Sequence, residues 1–463
     1  MTASLRDWQR RCIDTALENF LSTSHFFCQA TPGAGKTRMA AELTRCLLDQ
    51  SKIDLVLCFA PSLQVVDGFR STFSAVLGKR LDGLLGSVGG AYTYQAMEYR
   101  DEVFWRLLED YRVFVVFDEI HHCAGHDPLL SNAWGQQIVR KIQDRAVFTL
   151  ALSGTPWRSD DRAIALARYL SPEGQLICDY RYGLKEAIAD GVCRSPRILL
   201  VDNQQVTLTE GVETENTVRL FPSIAELLGE SPVTYEDLLR HDEVIEQLLA
   251  LGSDKLDALR RSQPEAAGLV VATDIAHAQQ IAQALDARAE SWCIVTNKTP
   301  NAQQVINAFR HSDCRWIVAV GMISEGTDIP RLQVCCFLSR IRTELHYRQV
   351  LGRILRRMGE ADDQAWLFML AETTLRRYAE RIADDLPEDL AVLSQVPMND
   401  AEANPPSSGK GANNAADGSH DGYFEQDLEE ASTSAYALGD FADESSYHIS
   451  FSQHYRQLLL ICL

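Results

Sequence analysis

Two short segments of the sequence carry residues that together could bind and cleave a nucleoside triphosphate. Glycines let backbone N–H groups curl around phosphate oxygens, and a following lysine and threonine can reach the terminal phosphates and Mg²⁺. The first segment separates an apolar stretch from a helical pattern, so it predicts a phosphate-binding loop between a strand and a helix. It reads Ala30, Thr31, Pro32, Gly33, Ala34, Gly35, Lys36 and Thr37, with alanine where such a loop usually begins with glycine.

The second segment, Asp118-Glu119-Ile120-His121, follows the apolar run Val113–Phe117. A run of this kind predicts a buried strand that delivers the two carboxylates at its tip. Asp118 could hold Mg²⁺ together with Thr37, and Glu119 could orient the attacking water. Either segment alone also occurs by chance, but in this order within a strand and helix chain each strengthens the other. We therefore predict an ATP-hydrolysing site that uses Mg²⁺.

The composition describes a globular chain without membrane segments. At 463 residues, of which 46% are hydrophobic, the chain can form two or three domains. No apolar run approaches the roughly 18 residues that span a bilayer, and the first residues lack the apolar core of a signal peptide. The twelve cysteines include no Cys-x-x-Cys spacing, so we expect reduced thiols. These features predict a cytoplasmic protein with no membrane partner.

The net charge of −20 is unevenly distributed. From Leu386 onward, thirteen acidic residues are balanced only by Lys410 and Arg456, a net charge of −11. The preceding body is only mildly acidic and concentrates arginine in one stretch, at positions 340, 342, 348, 353, 356 and 357. A local basic face on an acidic protein is therefore compatible with nucleic-acid binding.

Strand-like and helix-like segments alternate twice along the chain, which predicts two α/β lobes with parallel sheets. We place the first lobe, which binds ATP, at residues 1–181 and the second at residues 182–385. The second includes a polar and then helical insertion at about 204–263. Residues 386–463 are predicted to form an acidic, largely disordered tail. The apolar residues near its end, 449–463, could dock on the body, bind a partner or have no role.

Further motifs lie at fixed places around these two segments. They are Leu5-Arg6-Asp7-Trp8-Gln9, Ser153-Gly154-Thr155-Pro156, residues 324–330 (Ser-Glu-Gly-Thr-Asp-Ile-Pro) and residues 349–357, which begin Gln349-Val350-Leu351-Gly352-Arg353. In order and spacing, the set resembles the superfamily 2 helicases and translocases. It is most similar to the DExH branch that includes UvsW-like, XPB-like and type III restriction motor proteins. The resemblance covers about residues 5–390 and implies two tandem RecA-like lobes.

The resemblance also implies roles for individual residues. Arg6 and Gln9 would meet adenine, while Gly326 and Asp328 would belong to the nucleotide site from the second lobe. Catalytic residues of the second lobe would reach across the cleft to the phosphates, namely Gln349, Arg353 and Arg356. Residues that would contact nucleic acid, or link it to the ATP site, are Pro61, Ser62, Thr93, Tyr94, Ser153 and Thr155.

Several questions stay open at the level of sequence. Asp328 and Gln349 are 21 positions apart, which leaves no room for a long strand-separating hairpin and favours duplex translocation or modest unwinding. DNA is favoured over RNA by the resemblance alone, so an RNA helicase is an alternative. An ATP-dependent switch and a binding module that does not hydrolyse ATP are two others. No nuclease or methyltransferase motif is visible, so cutting would require a nuclease, repair or defence partner.

Overall fold

The structure is a computed structural model, and it describes residues 4–125, 132–156, 163–170, 175–212, 215–321, 329–359, 361–384, 391–397 and 446–462. Within these residues the chain forms two α/β lobes joined by a short connection. No helix among them is long and apolar enough to cross a membrane.

The first lobe is built on a parallel sheet with the strand order β3-β2-β4-β5-β1-β8. Its central strands are apolar on both faces, as expected for strands covered by helices on each side. Strands β6 and β7 form a separate antiparallel pair. The strands are β1 His25–Ala30, β2 Leu55–Ala60, β3 Gly89–Thr93, β4 Val113–Phe117, β5 Phe148–Ser153, β6 Arg168–Leu170, β7 Gln175–Ile177 and β8 Tyr180–Tyr182.

Helices cover this sheet and pack their apolar stripes against it. Two buried clusters result, one around Trp8, Met39 and Phe69 and one around Phe59, Trp105 and Phe117. The helices are α1 Asp7–Asn19, α2 Lys36–Asp49, α3 Leu63–Leu77, α4 Tyr94–Glu98, α5 Glu102–Trp105, α6 Leu107–Asp110 and α7 Ala133–Gln137, with a short 3₁₀ turn at Ile120–His122.

The second lobe repeats the plan around a larger sheet with the order β13-β14-β12-β15-β16-β9-β19-β17. The first six strands of that order are parallel, and β19 runs antiparallel to both of its neighbours. Three further strands of the lobe, β10, β11 and β18, form a separate sheet. The strands of the lobe are β9 Ser195–Asn203, β10 Val206–Val212, β11 Glu215–Phe221, β12 Ala267–Val271, β13 Trp292–Thr296, β14 Trp316–Val320, β15 Leu332–Phe337, β16 Gln364–Leu370, β17 Ala391–Pro397, β18 Ser446–Phe451 and β19 Tyr455–Cys462.

The helices of this part of the chain begin with the connection between the lobes. Helix α8 follows β8 of the first sheet and precedes β9 of the second, so the chain passes from one lobe to the other at this helix. The helices are α8 Leu184–Ala189, α9 Ile224–Glu230, α10 Tyr235–Leu239, α11 Asp242–Arg260, α12 Ile275–Ala287, α13 Ala302–Arg310, α14 Glu344–Ile354 and α15 Thr373–Asp384.

The end of the chain corrects the predicted tail. Strand β19 lies between β9 and β17, and β18 pairs with β10, so residues 446–462 belong to the second lobe. The apolar residues Ile449 and Leu460 are buried there, because their strands add to sheets whose inner faces need covering. The prediction of a tail that runs to residue 463 was therefore wrong for this segment. The predicted disorder at residues 399–421 lies outside the described residues.

The predicted helical insertion also needs a correction. Residues 204–263 begin with the antiparallel hairpin of β10 and β11, which β18 extends to three strands. Only the later part is helical, and α11 packs against β15 as one of the helices that cover the second sheet. The sequence suggested a polar start because Thr207 and Thr209, on one face of the hairpin, are not buried.

Candidate active site

The predicted phosphate-binding loop lies between β1 and α2, as the sequence suggested. Gly33 and Gly35 have φ values of +81° and +91°, a backbone region that glycine enters without a Cβ penalty. Gly35 is the residue before the first turn of α2, so free N–H groups of the helix start face the loop. The segment is therefore shaped to surround an anion with backbone donors.

Arg6 and Gln9, at the start of α1, brace this loop from outside. The Arg6 guanidinium donates to the Ala34 carbonyl oxygen at 2.7 Å, and the Gln9 amide donates to the Gly35 carbonyl oxygen at 2.9 Å. The Gln9 oxygen in turn accepts from the Arg6 backbone N–H at 2.9 Å. The two side chains thus lie beside the loop, and their contact with adenine stays a prediction.

Lys36 and Glu119 face each other across the space beside the loop. The Lys36 Nζ lies 3.2 Å from Glu119 Oε1 and 3.2 Å from the Ala30 carbonyl oxygen. The other oxygen of Glu119 accepts from the Gly154 N–H at 3.2 Å. A Cβ on Gly154 would lie 3.1 Å from Lys36 Nζ, so a side chain at that position would crowd the amine. Glycine therefore leaves Lys36 the room that a bound phosphate requires.

Glu119 is held in an unusual backbone conformation. Its φ is +49°, in the left-handed region that residues with side chains seldom adopt. Such strain is found at functional positions more often than elsewhere. Burial alone would raise the pKa of Glu119, but the Lys36 ammonium and His121 outweigh it and lower the pKa to about 2. The carboxylate is therefore ionised at neutral pH. A group that orients a water molecule or accepts a proton from it must be in that state.

Asp118 is buried at the tip of β4, and its backbone is fixed by Tyr94. The Tyr94 hydroxyl donates to the Asp118 carbonyl oxygen at 2.7 Å. Tyr94 is fully buried, and its ring stacks on Trp134. The predicted nucleic-acid contact at this position stays a prediction. In the structure, Tyr94 joins the carboxyl end of β3 to the magnesium-binding candidate.

Ser153 and Thr155 are also buried, and they link the strand tips to Glu119. His121 Nδ1 lies 3.0 Å from Ser153 Oγ and 3.4 Å from Glu119 Oε2, and the Thr155 N–H donates to Ser153 Oγ at 3.2 Å. Both side chains are enclosed by the protein, and the role that the resemblance implies for them at the nucleic-acid track, including the link to the ATP site, stays a prediction. His121 and Gly154 belong to this network although the sequence prediction did not include them. Their places within the two strand-tip motifs were the available signal.

The second lobe touches the phosphate-binding loop at two points. A Cβ on Gly33 would lie 3.2 Å from Arg356 Cγ, so the arginine stem crosses the loop. A Cβ on Gly352 would lie 2.9 Å from both Cβ and Cγ of Pro32, which shows how closely the end of α14 approaches. Gln349 and Arg353 lie on the same helix and are partly buried. The structure thus brings the predicted Arg356 to the predicted loop.

The remaining predicted residues fall into two groups. Pro61 and Ser62 follow β2, and Thr93 ends β3, at the edge where the tips of β1, β4 and β5 also lie. All three are partly exposed, and Ser62 and Thr93 cap the helices that follow. They are placed where a ligand could reach them. Gly326 and Asp328 lie outside the described residues.

The residues present fit ATP and Mg²⁺. Thr31, Pro32 and Ala34 complete the loop, and the Ala34 N–H closes a turn onto the Thr31 carbonyl oxygen at 3.2 Å. The Thr37 hydroxyl, in the first turn of α2, and the Asp118 carboxylate are the hard oxygen donors that Mg²⁺ prefers. Lys36 from the first lobe and Arg356 from the second bring two cationic side chains to the loop.

Comparisons with known proteins match both lobes to helicase families. A family described as "Type III restriction enzyme, res subunit" matches residues 2–158, and one described as "Helicase conserved C-terminal domain" matches residues 252–358. The chain is a superfamily 2 helicase-like protein. A superfamily 2 domain pair of this kind implies ATP use in general, typically with Mg²⁺.

Two mycobacterial proteins are similar in sequence to most of this chain. An uncharacterized protein of Mycobacterium tuberculosis is 32% identical over 374 residues, which cover 77% of this chain and 60% of the relative. An uncharacterized protein of Mycobacterium leprae is 31% identical over 369 residues, covering 76% and 59%. The superfamily 2 chain therefore spans about 60% of the length of the curated relatives that it matches.

A solved structure shows the same fold. It is the fragment of an HsdR subunit of a type I restriction enzyme from Vibrio vulnificus, with a TM-score of 0.57 and 15% identity. The match covers 83% of this chain and 67% of that one. The two lobes are therefore RecA-like, which confirms the predicted architecture of this superfamily 2 protein.

Proposed function

We propose that this chain is an ATP-dependent nucleic-acid motor that moves along DNA, with duplex translocation or modest unwinding as its action. The observation that carries the proposal is the approach of Arg356 to the phosphate-binding loop. Lys36 and Glu119 lie on the first lobe and Arg356 lies on the second, and the arginine stem crosses Gly33. A site divided in this way is complete only when the lobes are together.

The chemistry follows from the side chains in place. Backbone donors of residues 33–36 and the Lys36 ammonium would hold the phosphates of ATP, and Arg6 and Gln9 would keep the loop in shape from outside. The ionised Glu119 would orient the attacking water and receive its proton. Mg²⁺ held by Thr37 and Asp118 would neutralise charge on the phosphate oxygens. Arg356, assisted by Gln349 and Arg353, would stabilise the charge that develops on the transferring phosphoryl group.

Movement would arise because ATP favours the closed arrangement and hydrolysis removes the group that bridges the lobes. Polar contacts connect the ATP site to the edge that carries Ser62 and Thr93. One connection runs from Tyr94 to the Asp118 backbone, and another runs from Glu119 through His121 to Ser153. A change at the phosphates can therefore alter the edge where we expect the nucleic-acid backbone to lie.

Three points favour DNA as the track. The matching family of the first lobe is named for a restriction enzyme, and the protein with the similar solved fold is a subunit of another. The spacing between Asp328 and Gln349 leaves no room for a long separating hairpin, which favours a duplex as the bound form. A nuclease, repair or defence partner would then act at the places the motor reaches.

The test is steady-state ATP hydrolysis at a fixed salt concentration, measured alone and with duplex DNA, single-stranded DNA and RNA. Salt must be fixed because binding to phosphates weakens steeply as it rises. We expect duplex DNA to stimulate hydrolysis most. A third strand annealed to the duplex should be displaced in an ATP-dependent manner, since a translocating motor removes it without opening the duplex.

Lys36→Ala is the control, because it removes the ammonium from the phosphate site and should abolish both signals. Stimulation by RNA alone would replace DNA with RNA as the track. An equal rate with and without every polymer would contradict a motor and favour a nucleotide-dependent switch.

A further inference from the structure

Arg194, directly before β9 of the second lobe, is an arginine enclosed by the protein. Its side chain is 1% exposed and forms a two-pronged ion pair with Asp362, which is itself buried. Burying charges is unfavourable unless they are paired and fully hydrogen-bonded. Burial accordingly lowers the pKa of Arg194, while Asp362 opposes the shift. The contacts that compensate for this burial indicate what the Arg194 side chain holds in place.

The guanidinium uses its remaining donors on three carbonyl oxygens of two backbone segments. Nη1 donates to the carbonyl oxygens of Leu332 and Ile354, the latter at 2.7 Å, and Nη2 donates to the Pro330 carbonyl oxygen at 2.8 Å. Leu332 begins β15 and Ile354 ends α14, so one side chain ties together elements far apart in sequence. Only the planar fork of arginine offers this many donors in fixed directions.

These contacts enclose the backbone that carries Arg356. On the upstream side, Arg194 donates to Ile354 through its side chain and to the Leu355 carbonyl oxygen through its N–H, at 2.7 Å. On the downstream side, the Asp362 carboxylate accepts from the Met358 N–H at 2.8 Å. The ion pair therefore fixes the chain on both sides of Arg356.

The same stretch also touches the first lobe. Cys193 forms a β-bridge with Arg356, and its Sγ lies 3.6 Å from the Pro32 carbonyl oxygen of the phosphate-binding loop. Next to Arg194, the segment that connects the lobes therefore contacts both the phosphate-binding loop and Arg356.

We propose that Arg194 and Asp362 form a positioning pair that sets Arg356 against the phosphate-binding loop. This inference rests on the proposed function, because it assigns the pair a role in ATP hydrolysis. Neither residue touches the nucleotide: each acts through the backbone around Arg356. Weakening the pair should therefore lower the rate of the chemical step while ATP binding, which depends on the first lobe, is retained.

Arg194→Lys and Asp362→Asn test the inference. Lysine keeps the charge, but its three donors cannot serve three carbonyl oxygens and both oxygens of Asp362, and asparagine keeps the shape but removes the charge. For each variant we expect a KM for ATP close to that of the wild type and a kcat lower by about 10- to 100-fold, the scale of a displacement of a reacting group by about 1 Å. Arg315→Lys is the matched control, since Arg315 is paired with Glu290 at another place in the same lobe and should leave both constants unchanged.

A second comparison separates positioning from general stability. If the pair acts through Arg356, adding Arg194→Lys to Arg356→Ala should reduce kcat no further. The inference would be overturned if Arg194→Lys and Arg356→Ala lowered kcat independently, so that their effects multiplied. It would also be overturned if Arg194→Lys and Asp362→Asn both kept the wild-type kcat, or if thermal melting showed that both had lost their fold. If the wild-type chain hydrolyses ATP and the variants hydrolyse it equally well, the proposed function stands and only this inference fails. If the wild-type chain hydrolyses no ATP, the proposed function and this inference both fail.

Discussion

The two sides of the candidate ATP site are built in different ways. On the first lobe, Lys36 and Glu119 stand directly after a glycine-rich loop and a strand tip, so residues next to them in sequence fix their places. On the second lobe, Arg356 follows the end of α14 and is fixed by Arg194 and Asp362, of which Arg194 lies more than 150 positions away. The first half depends on local sequence, and the second depends on how distant segments pack.

The largest expected effect in a test of this comparison comes from replacing Arg356. Arg356→Ala removes the charge that the second lobe offers to the phosphates, and an arginine in that role contributes about a thousandfold or more to kcat. We expect a loss of that size in hydrolysis stimulated by DNA, with ATP binding retained. Arg377→Ala is the control, because Arg377 is exposed on α15 of the same lobe. Near-normal turnover in Arg356→Ala would mean that the first lobe is sufficient.

The next largest effect should come from Glu119 on the first lobe. Glu119→Gln keeps the shape but removes the ionised oxygen, so kcat should fall by about a hundredfold, the scale of a lost general base. Binding of a fluorescent ATP analogue should persist, because the loop and Lys36 are unchanged. Glu98→Gln, at an exposed residue of α4, serves as the control. Full turnover in Glu119→Gln would remove Glu119 from the mechanism.

Gly352 tests the contact between the two halves. The added Cβ of Gly352→Ala would lie 2.9 Å from Pro32, and a proline ring cannot yield, so the lobes must separate. We expect kcat to fall by about tenfold. Stability should not fall, because alanine is the better helix former by about 1 kcal/mol. Gly229→Ala in α9, with open space around it, is the matched control and should leave kcat unchanged. Equal kcat in both variants would show that the contact does not matter.

Tyr94 offers the smallest expected effect. Tyr94→Phe removes one buried hydrogen bond to the Asp118 carbonyl oxygen, worth about 1 kcal/mol. An energy of that size corresponds to about a fivefold change in an equilibrium, so stimulation by DNA should fall by no more than that. Tyr182→Phe removes a comparable bond, to Asp190, and should lower the melting temperature without changing the stimulation. If the two variants are stimulated equally, Tyr94 has no linking role.

The sequence predicted well what depends on neighbouring residues. The loop at residues 30–37, the strand ending before Asp118 and the division into two α/β lobes all follow from local composition and periodicity. The missed features depend on long-range pairing. Strand β19 pairs Leu459 with Leu199, and no pattern within either segment names its partner. The burial of Tyr94 has the same cause, because its position after a strand does not tell which neighbours cover it.

The Arg194–Asp362 pair was missed for a related reason. Arg194 stands directly before β9 and Asp362 two residues before β16, and the two strands are neighbours in the sheet. A charged residue at the entrance of a buried strand was the available signal. Only the order of strands in the folded sheet brings the two charges together, and a single sequence does not specify that order.

The central claim is that the two lobes of one chain form one ATP site. The most direct test mixes the Glu119→Gln and Arg356→Ala proteins and measures ATP hydrolysis with duplex DNA present. If each site is completed within one chain, every chain in the mixture still lacks one group, and the rate should stay at the sum of the separate variants. A rate well above that sum would show that Arg356 of one copy completes the site of another, which would contradict the account.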